Sequence, residues 1–220
     1  MKSLLLTVSL LSVLPLQSTF ASQRVVDRIV LVHGFLGRSS QMNPVKKRLE
    51  KLGFECYAPS LKPSDGRLGL EQLADQLKED IDSEFGALEP FIIISYSMGG
   101  LVSRYYLQNL GGADRCAALI TISSPHHGSN AAWFYPSKGA VQMRPGSQFL
   151  ADLQATESKL GEMPVVSYRT PLDLMILPSK SSIWERAENR HYVVSMHPMM
   201  LRSNKVLTDI EHRLLLGEED

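Results

Sequence analysis

Short apolar runs rich in Val, Ile and Leu alternate along this chain with longer amphipathic stretches, and this alternation limits the possible folds more than any other feature. Six runs predict strands, over 28–32, 55–58, 91–95, 117–123, 164–168 and 191–195. Four stretches predict helices, over 41–52, 70–85, 98–110 and 203–216. Continuous β-branched runs fit strands that are buried on both faces. Strands taking turns with helices predict an α/β fold, a mostly parallel sheet of about six strands flanked by helices.

The length and charge of the chain narrow the class of protein further. At roughly 100–200 residues per domain, 220 residues form one domain. A hydrophobic fraction of 44% and a charged fraction of 21% are typical of a globular protein. Lys plus Arg and Asp plus Glu both number 23, so the chain offers no basic surface for nucleic acid. We therefore expect no nucleic-acid partner. We also expect the protein to be a monomer.

The first 21 residues have the pattern of a secretory signal peptide. Lys2 precedes a leucine-rich stretch over 4–16, and Thr19 and Ala21 suit a signal-peptidase site. A membrane anchor is the alternative, but the apolar run is shorter than the ~20 residues a spanning helix needs and Pro15 interrupts it. We expect cleavage after Ala21, a single domain over 22–220, and export to the periplasm or the medium.

The chemistry-bearing residues begin at the turn after the third predicted strand. Small residues surround Ser97 in the segment 95–100 (SYSMGG), a strand, sharp turn and helix typical of a strained nucleophile elbow. The alternative is that Ser97 is an ordinary helix N-cap. The segment 33–37 (HGFLG) after the first strand favours the nucleophile, because it brings a second backbone N–H to the same place. The predicted oxyanion donors are the N–H groups of Phe35 and Met98, worth roughly 3–4 kcal/mol each in the transition state.

Three segments together resemble the bacterial lipase/esterase branch of the α/β-hydrolase superfamily. They are 29–37 (IVLVHGFLG), 96–107 (YSMGGLVSRYYL) and 120–129 (ITISSPHHGS). The resemblance implies an α/β-hydrolase fold of minimal size and hydrolysis of carboxylic esters through an acyl-enzyme. The chain departs from the family at Ser95, where Gly is usual, and at Tyr96, where His is frequent. Serine is small enough for the turn.

The chain order of this family is Ser, then Asp or Glu, then His. Asp173 follows the fifth predicted strand by a short loop, and His197 follows the sixth almost at once. Both therefore belong at the sheet edge that carries Ser97. His197 is predicted to accept the Ser97 proton, while Asp173 fixes the imidazole tautomer.

Other acids and bases stay open as alternatives. The candidates are His33, His126, His127, His191 and His212 for the base and Asp152 for the acid. His126 and His127 follow a strand end and could approach the site. His191 is expected at the start of its strand, away from the site, and His212 on a helix surface. His33 suits a role in holding the oxyanion loop, and Asp152 is predicted on a helix surface.

A long interval separates the fourth and fifth strands. About 40 residues lie there, where 2–6 are usual, so we expect a lid-like insertion over 129–163. An ordinary crossover helix over 147–160 fits the same interval. Apolar side chains in and around it are predicted to bind substrate, namely Leu36, Trp133, Phe134 and Met196. Met199 and Met200 either belong to the same apolar substrate-binding surface or pack the last helix against the sheet.

The sequence implies neither a metal nor a cofactor. His126 and His127 are adjacent rather than spaced as zinc ligands, and no phosphate-binding glycine pattern occurs. In the family's strand order, Cys56 and Cys116 lie three strands apart, about 14 Å at ~4.8 Å per strand. A disulfide allows no more than about 7 Å between Cα atoms, so we predict two buried free thiols.

Three functions remain, ordered here from the one that the sequence favours most to the one it favours least. The first is a serine hydrolase of lipase or esterase type, acting on a small-molecule or lipid ester with transient contact to a lipid interface. The second is acyl transfer, or thioester or amide hydrolysis, by the same residues. The third is a catalytically silent hydrolase-like binding protein. Pocket walls, rather than the fold, decide between the first two.

Overall fold

The computed structural model describes residues 26–216, which form a six-stranded parallel sheet with helices on both faces. The strands are β1 (Arg28–Val32), β2 (Glu55–Tyr57), β3 (Phe91–Tyr96), β4 (Cys116–Ile122), β5 (Val165–Arg169) and β6 (Glu188–His191). Their order across the sheet is β2-β1-β3-β4-β5-β6, and every neighbouring pair is parallel. The predicted α/β fold class is confirmed. The predicted signal peptide lies outside the described residues.

The four central strands, β1, β3, β4 and β5, are buried on both faces along most of their length, which explains their continuous apolar sequences. In β1, Val30 and Val32 pack into one core, and Ile29 and Leu31 pack into the other. The helices are α1 (Asn43–Lys51), α2 (Leu70–Phe85), α3 (Met98–Asn109), α4 (Lys138–Gln142), α5 (Gln148–Ala155) and α6 (Asn204–Leu216). Helices α2, α3 and α5 cover the first core, whereas α1 and α6 cover the second. None of the helices in the described range is long and apolar enough to cross a bilayer.

The sixth strand differs from its prediction over 191–195. It runs over Glu188–His191, so His191 ends the strand instead of starting it. An edge strand has one neighbour only, and polar residues are tolerated there because one side faces solvent. Beyond His191 one further backbone bond joins the Tyr192 N–H to the Arg169 carbonyl, and the Thr170 hydroxyl then donates to the Val194 carbonyl and accepts from the Val194 N–H. Val193 is consequently 75% exposed despite its apolar neighbours.

Two helices also have shorter bounds than predicted. Helix α1 begins after a 3-10 turn over Ser39–Met42, with Pro44 in its first turn, where proline is favoured. The expected crossover helix over 147–160 divides into α5 and a 3-10 turn over Glu157–Leu160. The break falls at Thr156, whose hydroxyl bonds the Asp152 carbonyl at 2.9 Å.

The cysteines lie where the strand order predicted. Cys56 is in β2 and Cys116 begins β4, three places along the sheet. Both thiols are free and buried. Burial raises the pKa of each thiol to about 12, which leaves the unreactive protonated form at neutral pH.

Candidate active site

The turn between β3 and α3 holds Ser97 in a strained conformation. Its φ of 54° and ψ of −126° lie outside the regions that L-residues normally occupy. Ser97 stands at the N-cap position of α3, but its side chain makes no capping hydrogen bond there, which argues against capping as the role of its hydroxyl. A Cβ at Gly99 would lie 2.5 Å from the His33 carbonyl oxygen, so glycine is required for the turn to pack against the end of β1. The Ser95 hydroxyl, where the resembling family has glycine, is 2.7 Å from the Ser103 hydroxyl of α3.

The loop after β1 lies directly against this turn. A Cβ added at Gly34 would be 2.9 Å from the Cβ of Ser97. The Leu61 N–H donates to His33 Nε2 at 3.0 Å, and His33 Nδ1 lies 2.9 Å from the Gly34 carbonyl. The second contact therefore requires a proton on Nδ1. Both nitrogens of His33 are occupied, so it holds the loop, and burial lowers its pKa.

The predicted oxyanion donors lie beside backbone N–H groups that are already bonded within the protein. The N–H of Gly34 donates to Gln41 Oε1 at 2.8 Å, and that of Leu36 donates to the Ser64 carbonyl at 2.9 Å. Within residues 26–216, the N–H groups of Phe35 and Met98 have no acceptor. Met98 is the first residue of α3, where the helix dipole adds positive potential. No acceptor in the described range therefore occupies either of the two predicted oxyanion donors.

Asp173 and His197 form a buried pair. His197 Nδ1 lies 2.7 Å from Asp173 Oδ2. The other oxygen, Oδ1, accepts the N–H groups of Met175 and Ile176, both at 2.9 Å. Burial by itself would raise the pKa of Asp173, but the hydrogen bond and charge of His197 and the two backbone N–H groups hold it below its usual value. The carboxylate is therefore ionised at neutral pH and held from two sides.

The ring of Tyr96 connects this pair to the strained turn. It immediately precedes Ser97, and its ring centroid is 4.8 Å from that of His197. The same ring would lie 3.0 Å from a Cβ at Gly34. The structure thus brings the Ser97 turn, the oxyanion loop and the His197 side chain together at one edge of the sheet. Sequence reasoning noted Tyr96 only as a departure from the family and missed this contact.

The alternative acids and bases lie elsewhere. His126 is buried beneath Trp184, with Nε2 3.1 Å from the Thr121 hydroxyl and Nδ1 3.5 Å from Arg104. Burial first, and then the positive charge of Arg104, hold the pKa of His126 well below 6.5. His127 faces Glu185 at 3.2 Å in a separate cleft of about 420 Å³.

The remaining candidates are exposed. His191 ends β6, His212 lies on α6, and Asp152 lies on α5, where it accepts a hydrogen bond from Gln148 at 2.8 Å. Within the described range, His197 with Asp173 is the one His–carboxylate contact in which both side chains are buried. No cluster of three or more His, Cys, Asp or Glu in that range could hold a metal ion.

The predicted substrate-binding side chains are all exposed. They are Leu36, Trp133, Phe134 and Met196, with Phe134 the most exposed at 89%. The segment between β4 and β5 reaches the loop after β1 through Tyr135, whose ring packs edge-on against that of Phe35 with the ring centroids 4.9 Å apart. Met200 is buried in the core beneath α6, which supports its packing interpretation, whereas Met199 is exposed.

Comparisons with known proteins agree with this architecture. The family model for the alpha/beta hydrolase fold matches residues 27–199, so the chain belongs to the α/β-hydrolase family. Among curated protein sequences, none matches the chain.

Solved structures of hydrolases share the fold at low sequence identity. The mature form of Bacillus licheniformis lipase BlEst2 is 20% identical, with a TM-score of 0.71 over 86% of this chain and 92% of the lipase. A pyrethroid hydrolase from Sphingobium faniae JZ-2 is 16% identical, with a TM-score of 0.59 over 89% of this chain and all of that one (100%). Aspergillus fumigatus lipase B is 16% identical, with a TM-score of 0.63 over 77% of this chain and 45% of the lipase. These likenesses establish the fold.

Proposed function

We propose that this protein is a serine hydrolase that cleaves carboxylic esters through an acyl-enzyme. Ser97 is the nucleophile, His197 the general base and Asp173 the residue that orients the base. The observation that carries the proposal is the buried hydrogen bond between His197 Nδ1 and Asp173 Oδ2, on the same sheet edge as the strained Ser97 turn.

The first half of the reaction follows from this hydrogen bond. Because Nδ1 donates its proton to Asp173, Nε2 of His197 is left with a lone pair to accept the Ser97 proton. The Ser97 oxygen attacks the ester carbonyl, and the resulting oxyanion accepts hydrogen bonds from the N–H groups of Phe35 and Met98. The intermediate collapses when His197 returns the proton to the leaving alcohol, which leaves an acyl group on Ser97.

The second half repeats these steps with water. His197 accepts a proton from water, whose oxygen attacks the acyl carbonyl, and the same two N–H groups bind the second oxyanion. Proton return to the Ser97 oxygen releases the carboxylic acid. Asp173 stays ionised throughout and stabilises the imidazolium in both steps.

The substrate is an ester with an apolar acyl chain, either a small molecule or a lipid. Exposed apolar side chains on the loop of Asp173 support this, namely Leu172, Leu174 and Met175. They add to two other exposed apolar side chains, Leu36 on the loop after β1 and Met196 immediately before His197. Exposed apolar surface of this kind marks binding sites and lipid contacts. Transient contact with a lipid interface is part of the proposal, and the protein acts as a monomer.

The protein is exported after removal of residues 1–21. The pattern of Lys2, the leucine-rich stretch and the small residues before the cleavage point supports this part of the proposal. Mass spectrometry of the N-terminus of protein from the extracytoplasmic fraction tests it. A chain that begins at Ser22 is expected, and an intact Met1 in that fraction would contradict it.

A fluorophosphonate probe tests the enzyme proposal, because it reacts only with an activated serine. Wild-type protein should be labelled at neutral pH, and Ser97→Ala should not. Ser124→Ala is the matched control, since the buried Ser124 hydroxyl lacks a partner in the described range and its removal should leave labelling intact. A folded wild type that stays unlabelled would refute the enzyme and favour a silent binding protein. Esters graded by chain length, tested below and above micelle formation, then distinguish an esterase from a lipase.

A further inference from the structure

Ser129 begins the insertion and is almost completely buried, with 4% of its surface exposed. Its hydroxyl donates to the Met175 carbonyl at 2.8 Å and accepts the Leu177 N–H at 3.0 Å. It also accepts the Ala131 N–H at 3.2 Å, as the N-cap of the 3-10 turn over Asn130–Phe134. A single hydroxyl therefore joins the insertion to the backbone at 175–177.

That backbone is the segment that holds the Asp173 carboxylate. Asp173 Oδ1 accepts the N–H groups of Met175 and Ile176, while Ser129 bonds the carbonyl of Met175 and the N–H of Leu177. The peptide groups that orient the carboxylate thus lie between Asp173 on one side and Ser129 on the other. A shift of this segment would move Oδ1, and with it the oxygen that faces His197.

Neighbouring contacts make the connection rigid. The Asn130 N–H donates to the Leu177 carbonyl at 2.8 Å. The His127 N–H donates to the Ser181 carbonyl at 3.2 Å, and the Ser181 hydroxyl donates in return to the Gly128 carbonyl. The start of the insertion therefore runs beside residues 173–181, the loop that carries Asp173 and is called the acid loop below. Ser129 contacts this loop through its side chain at Met175 and Leu177.

We infer that Ser129 is a positioning residue for the Asp173–His197 pair. It acts through the backbone at 175–177 and does not touch the substrate. The inference rests on the proposed function for its kinetic consequence, but the hydrogen bond that it controls can be observed without turnover. A hydroxyl with two or more backbone partners in a buried site fixes geometry that a methyl group cannot.

The chain supplies two matched controls. Ser137 and Ser147 are also N-caps within the insertion, and each hydroxyl also donates to a remote carbonyl, that of Asp65 for Ser137 and that of Gln142 for Ser147. Neither contacts the acid loop. Replacing these serines with alanine removes an N-cap bond and a bond to another carbonyl, as Ser129→Ala does. Ser129 differs in being buried and in accepting a second N–H group, that of Leu177.

The test combines kinetics with proton NMR. For Ser129→Ala we expect kcat on a soluble p-nitrophenyl ester to fall about 10- to 100-fold, with KM within about twofold of wild type. Ser137→Ala and Ser147→Ala should keep kcat within about twofold. The downfield signal of the His197 Nδ1–H, assigned by its loss in His197→Gln, should broaden or disappear in Ser129→Ala and persist in both controls.

The outcomes separate the two proposals. A Ser129→Ala variant that keeps both kcat and the Nδ1–H signal at the level of the controls would overturn the positioning role. If the wild type is not labelled at Ser97, the proposed function fails, and the NMR comparison still decides whether Ser129 orients the pair. Should Ser129→Ala not fold, Ser129→Cys carries the same test, since it keeps the volume and weakens the hydrogen bonds.

Discussion

Replacing Asp173 with asparagine changes one carboxylate oxygen into an NH2 group. In the wild type, Oδ2 faces His197 and Oδ1 accepts two backbone N–H groups. The side-chain oxygen can stay at the Oδ1 position, where it accepts the N–H groups of Met175 and Ile176. Turning the amide over would place its NH2 against those two donors and leave both without an acceptor, which costs roughly 1–3 kcal/mol for each buried donor. The NH2 group therefore faces His197.

This orientation reverses the hydrogen bond at His197. The amide donates to Nδ1, which now carries the lone pair, and the imidazole proton moves to Nε2. Nε2 then donates toward Ser97 and cannot accept its proton. In other Ser-His-Asp enzymes the same change lowers kcat by about 10⁴-fold, which is about 5 kcal/mol of transition-state stabilisation. We expect a loss of that size with little change in KM.

Hydrolysis of a soluble p-nitrophenyl ester at neutral pH measures this effect. Asp152→Asn is the control, because Asp152 is exposed on α5 and should be dispensable. Thermal unfolding of both variants checks that each is folded. A folded Asp173→Asn variant with activity within about tenfold of wild type would refute the reasoning, and a loss in Asp152→Asn instead would identify the other acid.

Two further predictions concern packing and pH. Gly34→Ala should lower kcat/KM about 100-fold in ester hydrolysis, because its Cβ would lie 2.9 Å from the Cβ of Ser97 and displace the loop after β1. In the control Gly111→Ala the added Cβ meets no atom within 4 Å, but the φ of +78° strains alanine, so this variant should lose stability and stay active while folded. Equal activities of the two folded variants would contradict the prediction. The second prediction concerns His126, whose pKa burial and then Arg104 hold well below 6.5, so that below pH 6.5 the unfolded chain binds a proton that the folded chain does not. The contribution of His126 to the free energy of unfolding should therefore be complete above pH 6.5. Below pH 6.5 it should fall by up to about 1.4 kcal/mol per pH unit, until the pH reaches the pKa of His126 in the folded protein. Chemical denaturation of His126→Gln at several pH values should show a dependence of the free energy of unfolding on pH that is weaker by that amount. An unchanged dependence would argue against a lowered pKa of His126.

The sequence predicted best those elements whose signals are local. The strand, turn and helix around Ser97 are defined by an apolar run, small residues and an amphipathic stretch within about 20 residues, and β3 and α3 begin within one residue of their predicted positions. The placement of Asp173 and His197 after β5 and β6 followed from chain order, because the carboxyl ends of parallel strands share one edge.

The missed features depend on contacts between distant parts of the chain. The bounds of β6 were wrong because the apolar residues at 192–194 give a stronger local strand signal than the polar residues that form the edge strand. The contact of Tyr96 with His197 and the bonds of Ser129 to the acid loop join residues 46 or more positions apart. Periodicity along the chain carries no information about such pairs.

A crystal structure of the protein after reaction with a phosphonate ester tests the central claim most directly, because the adduct mimics the tetrahedral intermediate. The account predicts a phosphorus bonded to the Ser97 oxygen, with its phosphoryl oxygen about 2.7–3.1 Å from the N–H groups of both Phe35 and Met98. His197 Nε2 should face the same oxygen of Ser97. An adduct on another residue, or a phosphoryl oxygen bound by other donors, would contradict the account.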